Sequence, residues 1–337
     1  MGNWRQALNN KKIRPSEFEL IEELFAPLAK SQIGAVGLLD DCATLSLSTG
    51  NEALYSLDTL VAGVHFFPDD PADLIAKKLL RVSLSDLASS GGTPKGYLLA
   101  ANIPEDISYD WLKLFTDGLA EDQIEFGIAL LGGDTTATTG PLSLSLTAIG
   151  EVPAGKAIRR SGAVIGDEIF VTGTVGDAAL ALRKLDEIGR EATAGEFPEL
   201  YNRYVLPQPR SVLGSMLLDI ATACIDISDG IYADLQHICS ASDVGAEILQ
   251  NEIPLSQSAQ KLVQGNEDLW QFVYGGGDDY ELLFSANSEN RTLIESLGER
   301  SGIQISFIGR VIPDGGVSIL DPAGKKISVE NVGWRHF

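Results

Sequence analysis

Six times along this 337-residue chain a short apolar run breaks into a turn of glycine, serine or threonine carrying one or two aspartates. The six are Leu38-Leu39-Asp40-Asp41-Cys42, Ser56-Leu57-Asp58-Thr59, Ser85-Asp86, Gly132-Gly133-Asp134-Thr135-Thr136, Asp226-Ile227-Ser228-Asp229-Gly230 and Gly275-Gly276-Gly277-Asp278-Asp279. Singly, each reads as a routine strand-to-helix connection. Together they constrain the fold, because loops leaving neighbouring strands of an α/β sheet converge on one crevice. Carboxylates pooled ~4 Å apart repel by roughly 4 kcal/mol per pair at an effective dielectric of about 20. Such a pool calls for cations, and oxygen-only donors point to Mg²⁺ rather than zinc.

The elements between the turns follow from hydrophobic period. Pro15 to Lys30 reads as a helix with Phe18, Ile21, Leu24, Phe25 and Leu28 on one stripe and Ser16 as cap. Ala43–Leu47 and Ala53–Leu60 read as a β-hairpin about Ser48–Glu52. A helix from Ala72 to about Ser89, a strand Gly96–Ile103, a helix Tyr109–Phe126, a short buried strand Ile128–Leu131 and a strand Leu142–Val152 complete one unit. Pro153 to Asp167 is a connector. The second unit opens at Glu168–Gly173 and continues through helix Asp177–Ile188, an irregular stretch to Pro209, helix Ser211–Ala221, strand Cys224–Ile227 and helix Gly230–Ala241. Strands Glu281–Ser285, Ile303–Ile308 and Val317–Ile319 follow. The expected class is α/β, of the α+β type, with two mixed-sheet α/β domains, 1–152 and 153–337, and a cleft between them.

Twenty-five Lys and Arg against 47 Asp and Glu leave a formal charge of −22. That charge disfavours nucleic acid and anionic membrane surfaces as partners. It is compatible with phosphate ligands when a metal stands between carboxylate and phosphate. No run approaches the ~18 apolar residues of a membrane span, and the basic start lacks an apolar segment behind it, so a soluble cytoplasmic protein is expected. Cys42, Cys224 and Cys239 lack CxxC spacing and are expected to be reduced and buried.

For the phosphate itself the chain offers main chain. Gly132-Gly133 and Gly275-Gly276-Gly277 allow amides to approach an anion, and Ser228-Asp229 opens a helix whose N-terminus favours negative charge. Val171–Asp177 is a further turn of this type, with packing the stronger explanation. Arg159 and Arg160 suit a triphosphate or a solvated surface equally. The P-loop, the kinase HRD, the Rossmann GxGxxG and HExxH are all missing, as are GxSxG and a Cys/His signature, so covalent catalysis lacks support. His237, between apolar residues of a helix, reads as structural.

In this order the motifs resemble thiamine-monophosphate kinase. Those that carry the likeness are Asp40–Ala43, Ser56–Phe66, Ser85–Ala88, Gly132–Thr136, Ile227–Gly230 and Gly277–Leu282, with the ending Gly333-Trp334-Arg335-His336-Phe337. The resemblance implies the fold of aminoimidazole ribonucleotide synthetase: a first domain binding metal and ATP, a second completing the cleft, and a homodimer whose N-terminal sheets join. It implies that ATP and thiamine monophosphate give ADP and thiamine diphosphate by direct in-line transfer, with several Mg²⁺ ions neutralising and aligning the phosphates.

On the same footing Asp41, Ser56, Asp58, Asp86, Asp134, Asp226 and Asp229 hold Mg²⁺, directly or through water, and Leu57 offers its carbonyl. Gly133, Asp134, Arg160 and Ser228 contact ATP, while His65, Asp278 and Trp334 face the substrate. Three positions depart from the family pattern. Leu39 stands where glycine is usual, Leu57 where threonine is, and Asp278 where glutamate is common. A glycine needed for positive φ would resist replacement, so Leu39 keeps a non-catalytic nucleotide or metal sensor in play. The other rival is a different ATP-using enzyme of the superfamily. Those that depend on a cysteine near a terminus lose ground, since none lies in the first forty residues or the tail.

Overall fold

Strand and helix periods resolve into two sheets with helices packed on them. The computed structural model describes residues 15–313, 315–330 and 332–333. Two compact units form. One takes the described residues up to Ser46 with Tyr55–Ser83 and Pro94–Ile149; the other takes Leu47–Leu54, Leu84–Thr93 and the described residues from Gly150 onward.

The first sheet has four strands, β1 (Asn51–Val61), β2 (Thr93–Pro104), β3 (Leu130–Thr138) and β4 (Ser143–Pro153), in the order β1-β4-β2-β3. β2 and β3 run parallel, with Leu99 opposite Gly133 and Ala100 opposite Asp134. Helix α1 (Ala72–Ser89) buries Leu79, Leu80, Leu84 and Leu87. Helix α2 (Tyr109–Phe126) starts where the Ser108 hydroxyl accepts the Trp111 amide at 3.2 Å and stops at Gly127, φ 65°. Buried Arg81 of α1 donates to Asp122 of α2 at 2.7 and 2.9 Å and lies 5.0 Å from the Phe126 ring centroid. Losing either charge strands the other in the core, so the pair fixes how the two helices meet.

The second sheet has seven strands in the order β11-β10-β7-β9-β5-β8-β6. They are β5 (Glu168–Thr172), β6 (Ala221–Asp226), β7 (Gly245–Leu249), β8 (Leu282–Ala286), β9 (Ile305–Ile312), β10 (Gly316–Leu320) and β11 (Lys326–Ile327). Among the described residues of this sheet only β7 and β10 pair parallel. Every residue of β5 and β8 is buried, and Phe170 stacks on Phe284 at 5.4 Å between centroids. Burial of each ring contributes about 1.5–3 kcal/mol. Helices α3 (Asp177–Ile188), α4 (Ile231–Ser242) and α5 (Arg291–Ser301) accompany this sheet.

Several expectations change. The first helix is broken: Glu17–Leu20 is α-helical, Ile21–Phe25 a π turn and Ala26–Ala29 a 3₁₀ turn that contains Pro27. A proline within the run removes an amide donor and prevents a regular helix. Ser16 does sit at its start, with its amide and hydroxyl both donating to Glu19 at 2.8 and 2.7 Å. The first arm of the expected hairpin, 43–47, forms no strand. Its end is tied instead to buried Glu151 of β4, which accepts the Ser48 amide and hydroxyl, both at 2.7 Å. The stretch read as irregular before Pro209 contains helices Arg190–Glu196 and Pro198–Val205. Strand β7 and helices Gln257–Gly265 and Trp270–Gly275 were not expected. Among the described residues no helix is long and apolar enough to cross a membrane.

Candidate active site

In the first unit a cavity of about 500 Å³ opens beside the N-terminal segment and the parallel pair β2–β3, lined by Asp41, Leu57, Gly133 and Asp134 together with Asp40 and Thr135. Gly132-Gly133-Asp134 is not the strand-to-helix turn expected from sequence but the middle of β3. Gly133 therefore serves packing: a methyl there would collide with the Leu99 carbonyl of the neighbouring strand. The close approach leaves Asp134 exposed on a rigid strand. Asp40 and Asp41 are exposed as well, and the Asp41 amide donates to Asp40 Oδ1 at 2.9 Å. Carboxylates and hydroxyls dominate the polar lining, a hard-oxygen donor set that fits Mg²⁺, with room for its retained waters.

β1 divides its residues between two faces. Leu57, 66% exposed, turns toward the cavity side with Tyr55 and Thr59, whereas Ser56 and the half-buried Asp58 share the opposite face with Leu60. Neither Ser56 nor Asp58 lines the cavity, and nor does Asp86, half-buried near the end of α1. His65 folds back on its own turn: Nδ1 accepts the Val61 amide at 3.0 Å, so the neutral ring carries its proton on Nε2.

In the second unit Asp226 ends β6, Ser228 and Asp229 form the following turn, and α4 begins at Ile231. The Asp278 amide donates to the Ser228 carbonyl and the Tyr280 amide to the Ile227 carbonyl, at 2.9 and 2.8 Å, so the two aspartate motifs are one structure. Gly277 is required there because any side chain would run into the Ser228 carbonyl. The amides at this helix start are not open to an anion. Those of Ser228, Asp229 and Gly230 all donate to Asp234 Oδ2, at 3.1, 3.0 and 3.1 Å. Burial pushes the Asp234 carboxyl up to about 7 against the pull of those donors. The turn before α3 is closed in the same way, with the Gly176 amide donating to Asp279 Oδ2 at 2.7 Å. Arg160 is exposed. Trp334 lies outside the described residues.

A buried network next to Asp278 escaped the sequence. Glu281, fully buried, accepts Arg203 at 2.7 Å, Arg210 through Nε at 2.6 Å and through Nη2, and the Thr172 hydroxyl at 2.5 Å. Arg203 also donates to the Asp279 carbonyl at 2.9 Å. The turn it holds is strained, with Asp278 at φ 68° and Tyr280 at φ 51°. Arg203 comes from the stretch read as irregular and Arg210 from the residue just after it, where no period announces them.

Leu39 has φ −98°, an ordinary value, so it occupies its position without strain. Positive φ falls on its neighbours Val36, Gly37 and Leu38. Cys42 is exposed and lines the cavity, contrary to expectation, while Cys224 and Cys239 are buried; all three are free thiols. His237 is exposed rather than part of the core.

Comparison with known proteins gives a family for each half. Residues 39–152 match the model of the AIR synthase related protein, N-terminal domain, and residues 164–321 that of the C-terminal domain. The sequence is 40% identical over 325 residues to thiamine-monophosphate kinase of Escherichia coli K12, covering 95% of this chain and 98% of that protein. The fold is similar to the crystal structure of thiamine-monophosphate kinase from Stenotrophomonas maltophilia K279a, with TM-score 0.84, 38% identity, and 93% and 98% of the two chains covered. It is also similar to AaThiL complexed with AMPPCP and TMP, with TM-score 0.75, 28% identity, and 91% and 98% covered.

Proposed function

The chain belongs to the thiamine-monophosphate kinases within the AIR synthase related proteins, and from that membership we propose that it transfers the γ-phosphate of ATP to thiamine monophosphate, giving thiamine diphosphate and ADP. A relative of like fold has been seen with AMPPCP, a non-hydrolysable analogue of ATP, and with TMP. In the transfer a terminal oxygen of the thiamine phosphate attacks Pγ. The bond from Pγ to the bridging oxygen breaks, and ADP departs with the electron pair. No covalent enzyme intermediate is required, in keeping with the absence of any nucleophile signature.

The observation that carries the reading in the structure is the grouping of Asp41, Gly133 and Asp134 about one cavity. Asp41 and Asp134 would hold Mg²⁺ there; Ser56, Asp58 and the Leu57 carbonyl of β1, and Asp86 of α1, are assigned as further Mg²⁺ ligands, of which only Leu57 adjoins this cavity. Asp226 and Asp229 would hold it at the β6–α4 turn. Bound Mg²⁺ neutralises phosphate charge and aligns the reacting groups. The chain's own part is positional. β3 holds Asp134 on a backbone fixed by its pairing with β2, the Asp41 N–H donates a hydrogen bond to Asp40 Oδ1, and the Ser228 turn is stiffened by Asp234. Gly133, Ser228 and Arg160 are assigned to ATP, and His65, Asp278 and Trp334 to the thiamine side.

The sensor alternative rested on strain at Leu39, and the ordinary φ there removes that support. We further assign the protein to the cytoplasm, in keeping with its three free thiols. We also assign it a homodimeric state built on the edge strand β1, which exposes Tyr55 and Leu57. The test is chromatographic detection of thiamine diphosphate from thiamine monophosphate and ATP, with and without Mg²⁺. Turnover that needs Mg²⁺ is expected; ATP binding without product at saturating substrate would overturn the assignment.

A further inference from the structure

At the start of α4 three side chains of mixed chemistry face one another. A carboxylate oxygen of Asp229, one of Asp234 and a ring nitrogen of His237 all lie within 4.8 Å of each other. Asp234 and His237 stand three residues apart on the helix and so share a face, and Asp229 reaches them across Gly230, whose φ of 122° turns the chain. We propose that this trio binds a borderline divalent cation of the Zn²⁺ or Co²⁺ class, at a site separate in chemistry from the oxygen-only Mg²⁺ positions.

Three features support it. The donor set of one imidazole and two carboxylates suits Zn²⁺ and Co²⁺ and is poorly matched to Mg²⁺, which prefers oxygen throughout. Asp234 is set before any ion arrives, because the three amides on Oδ2 fix the plane of its carboxylate; groups that orient a ligand in this way raise metal affinity. Access is graded from inside to outside, with Asp234 buried, Asp229 half-buried and His237 exposed. An exposed imidazole has the torsional freedom to draw the present spacing in to the ~3.4 Å separation that bonds of about 2.1 Å impose on a tetrahedron.

Binding needs only these three residues. Its consequence rests on the kinase reading: an ion here engages Asp229, one of the carboxylates assigned to Mg²⁺, so occupancy competes with turnover.

The experiment titrates the full-length protein with Co²⁺ in saturating Mg²⁺, following the visible ligand-field absorption, then displaces Co²⁺ with Zn²⁺. Wild type should take up one Co²⁺ with a nitrogen-containing ligand signature, and His237→Ala should weaken uptake by at least ~10-fold. His237 is exposed, so the variant keeps its fold, which an unchanged melting temperature without metal verifies. No Mg²⁺-resistant Co²⁺ uptake by wild type, or equal affinity in wild type and His237→Ala, overturns the site. In the kinase assay Zn²⁺ should inhibit wild type more strongly than His237→Ala. Binding without that difference overturns the competition and leaves the site standing.

Discussion

Asp134 is exposed, belongs to a rigid strand and lines the cavity assigned to phosphate chemistry. Asp134→Asn should therefore leave the fold intact and cut turnover by about 10²–10³-fold, the scale of losing one electrostatic stabiliser of the transition state. Steady-state rates beside a circular dichroism spectrum check this, and near-normal rates would sink the metal assignment. Gly133 is a separate case. Gly133→Ala pushes a methyl at the Leu99 carbonyl and should cost about 1–3 kcal/mol in urea unfolding; an unchanged midpoint would refute the packing account. These residues show what single positions reveal. The aspartate motifs could be picked out by their order, but residue type did not show that Asp134 and Asp58 lie within strands and Asp86 within a helix. What Gly133 does was not legible, since a glycine beside an acid reads as a turn unless the pairing of β2 with β3 is known. Leu39 misled in the opposite sense: a residue type suggested strain that lies at Leu38. Which way Asp58 and Leu57 face depends on strand phase, and the sequence supplied residue types for β1 but not its face.

At the scale of elements, the joined turns 226–230 and 277–281 are held from beneath by Glu281 and its two arginines. Glu281→Gln leaves Arg203 and Arg210 in a largely buried setting without their counter-charge. A loss of about 3–5 kcal/mol is expected, read from equilibrium denaturation; a loss near zero would mean that the arginines find other partners. The adjoining Asp279 responds to pH. It is buried, Oδ1 has no hydrogen-bond partner among the described residues, and burial holds its carboxyl well above the usual carboxylate range. A carboxyl that protonates more readily folded than unfolded stabilises the fold below its unfolded pKa of ~3.9. That contribution is lost as pH rises through the raised folded value. Asp279→Asn stays neutral, so its melting temperature should gain on wild type as pH increases from about 4 to 8, whereas a constant difference across that range would contradict the burial argument. Long periodic elements such as α2 were legible to the residue. The clamp was not, because it joins Thr172 of β5, Glu281 just before β8, Arg203 of the helix Pro198–Val205 and Arg210 beyond that helix, and isolated charged residues carry no period.

For the whole molecule, the second unit is discontinuous in sequence. Leu47–Leu54 and Leu84–Thr93 belong with the residues from Gly150 onward. Ala88 packs in the same cluster as Leu213 and Leu217, the Ala88 carbonyl leaves room only for glycine at 214, and the Ile158 amide bonds the Ser90 carbonyl at 3.2 Å. A fragment 153–337 should consequently expose Leu213 and Leu217, bind a hydrophobic dye and unfold without cooperativity. A sharp two-state transition for that fragment would show that the early segments are dispensable. Chain length and α/β alternation announced two units, but neither could announce that one borrows from the other's half of the sequence.

That borrowing bears on how the protein is made. On the ribosome Leu47–Leu54 emerges well before residues 151–155, to which it is hydrogen-bonded, and Ala88 emerges long before Leu213, Leu217 and Phe284, with which it packs. Contacts between segments so far apart in sequence slow folding, and apolar chain left waiting is open to association with other nascent chains. Such a polypeptide gains from chaperone cover at the stage when most of its first half already exists, and its yield in a cell should depend on translation speed through the middle of the message as much as on the stability of the finished fold.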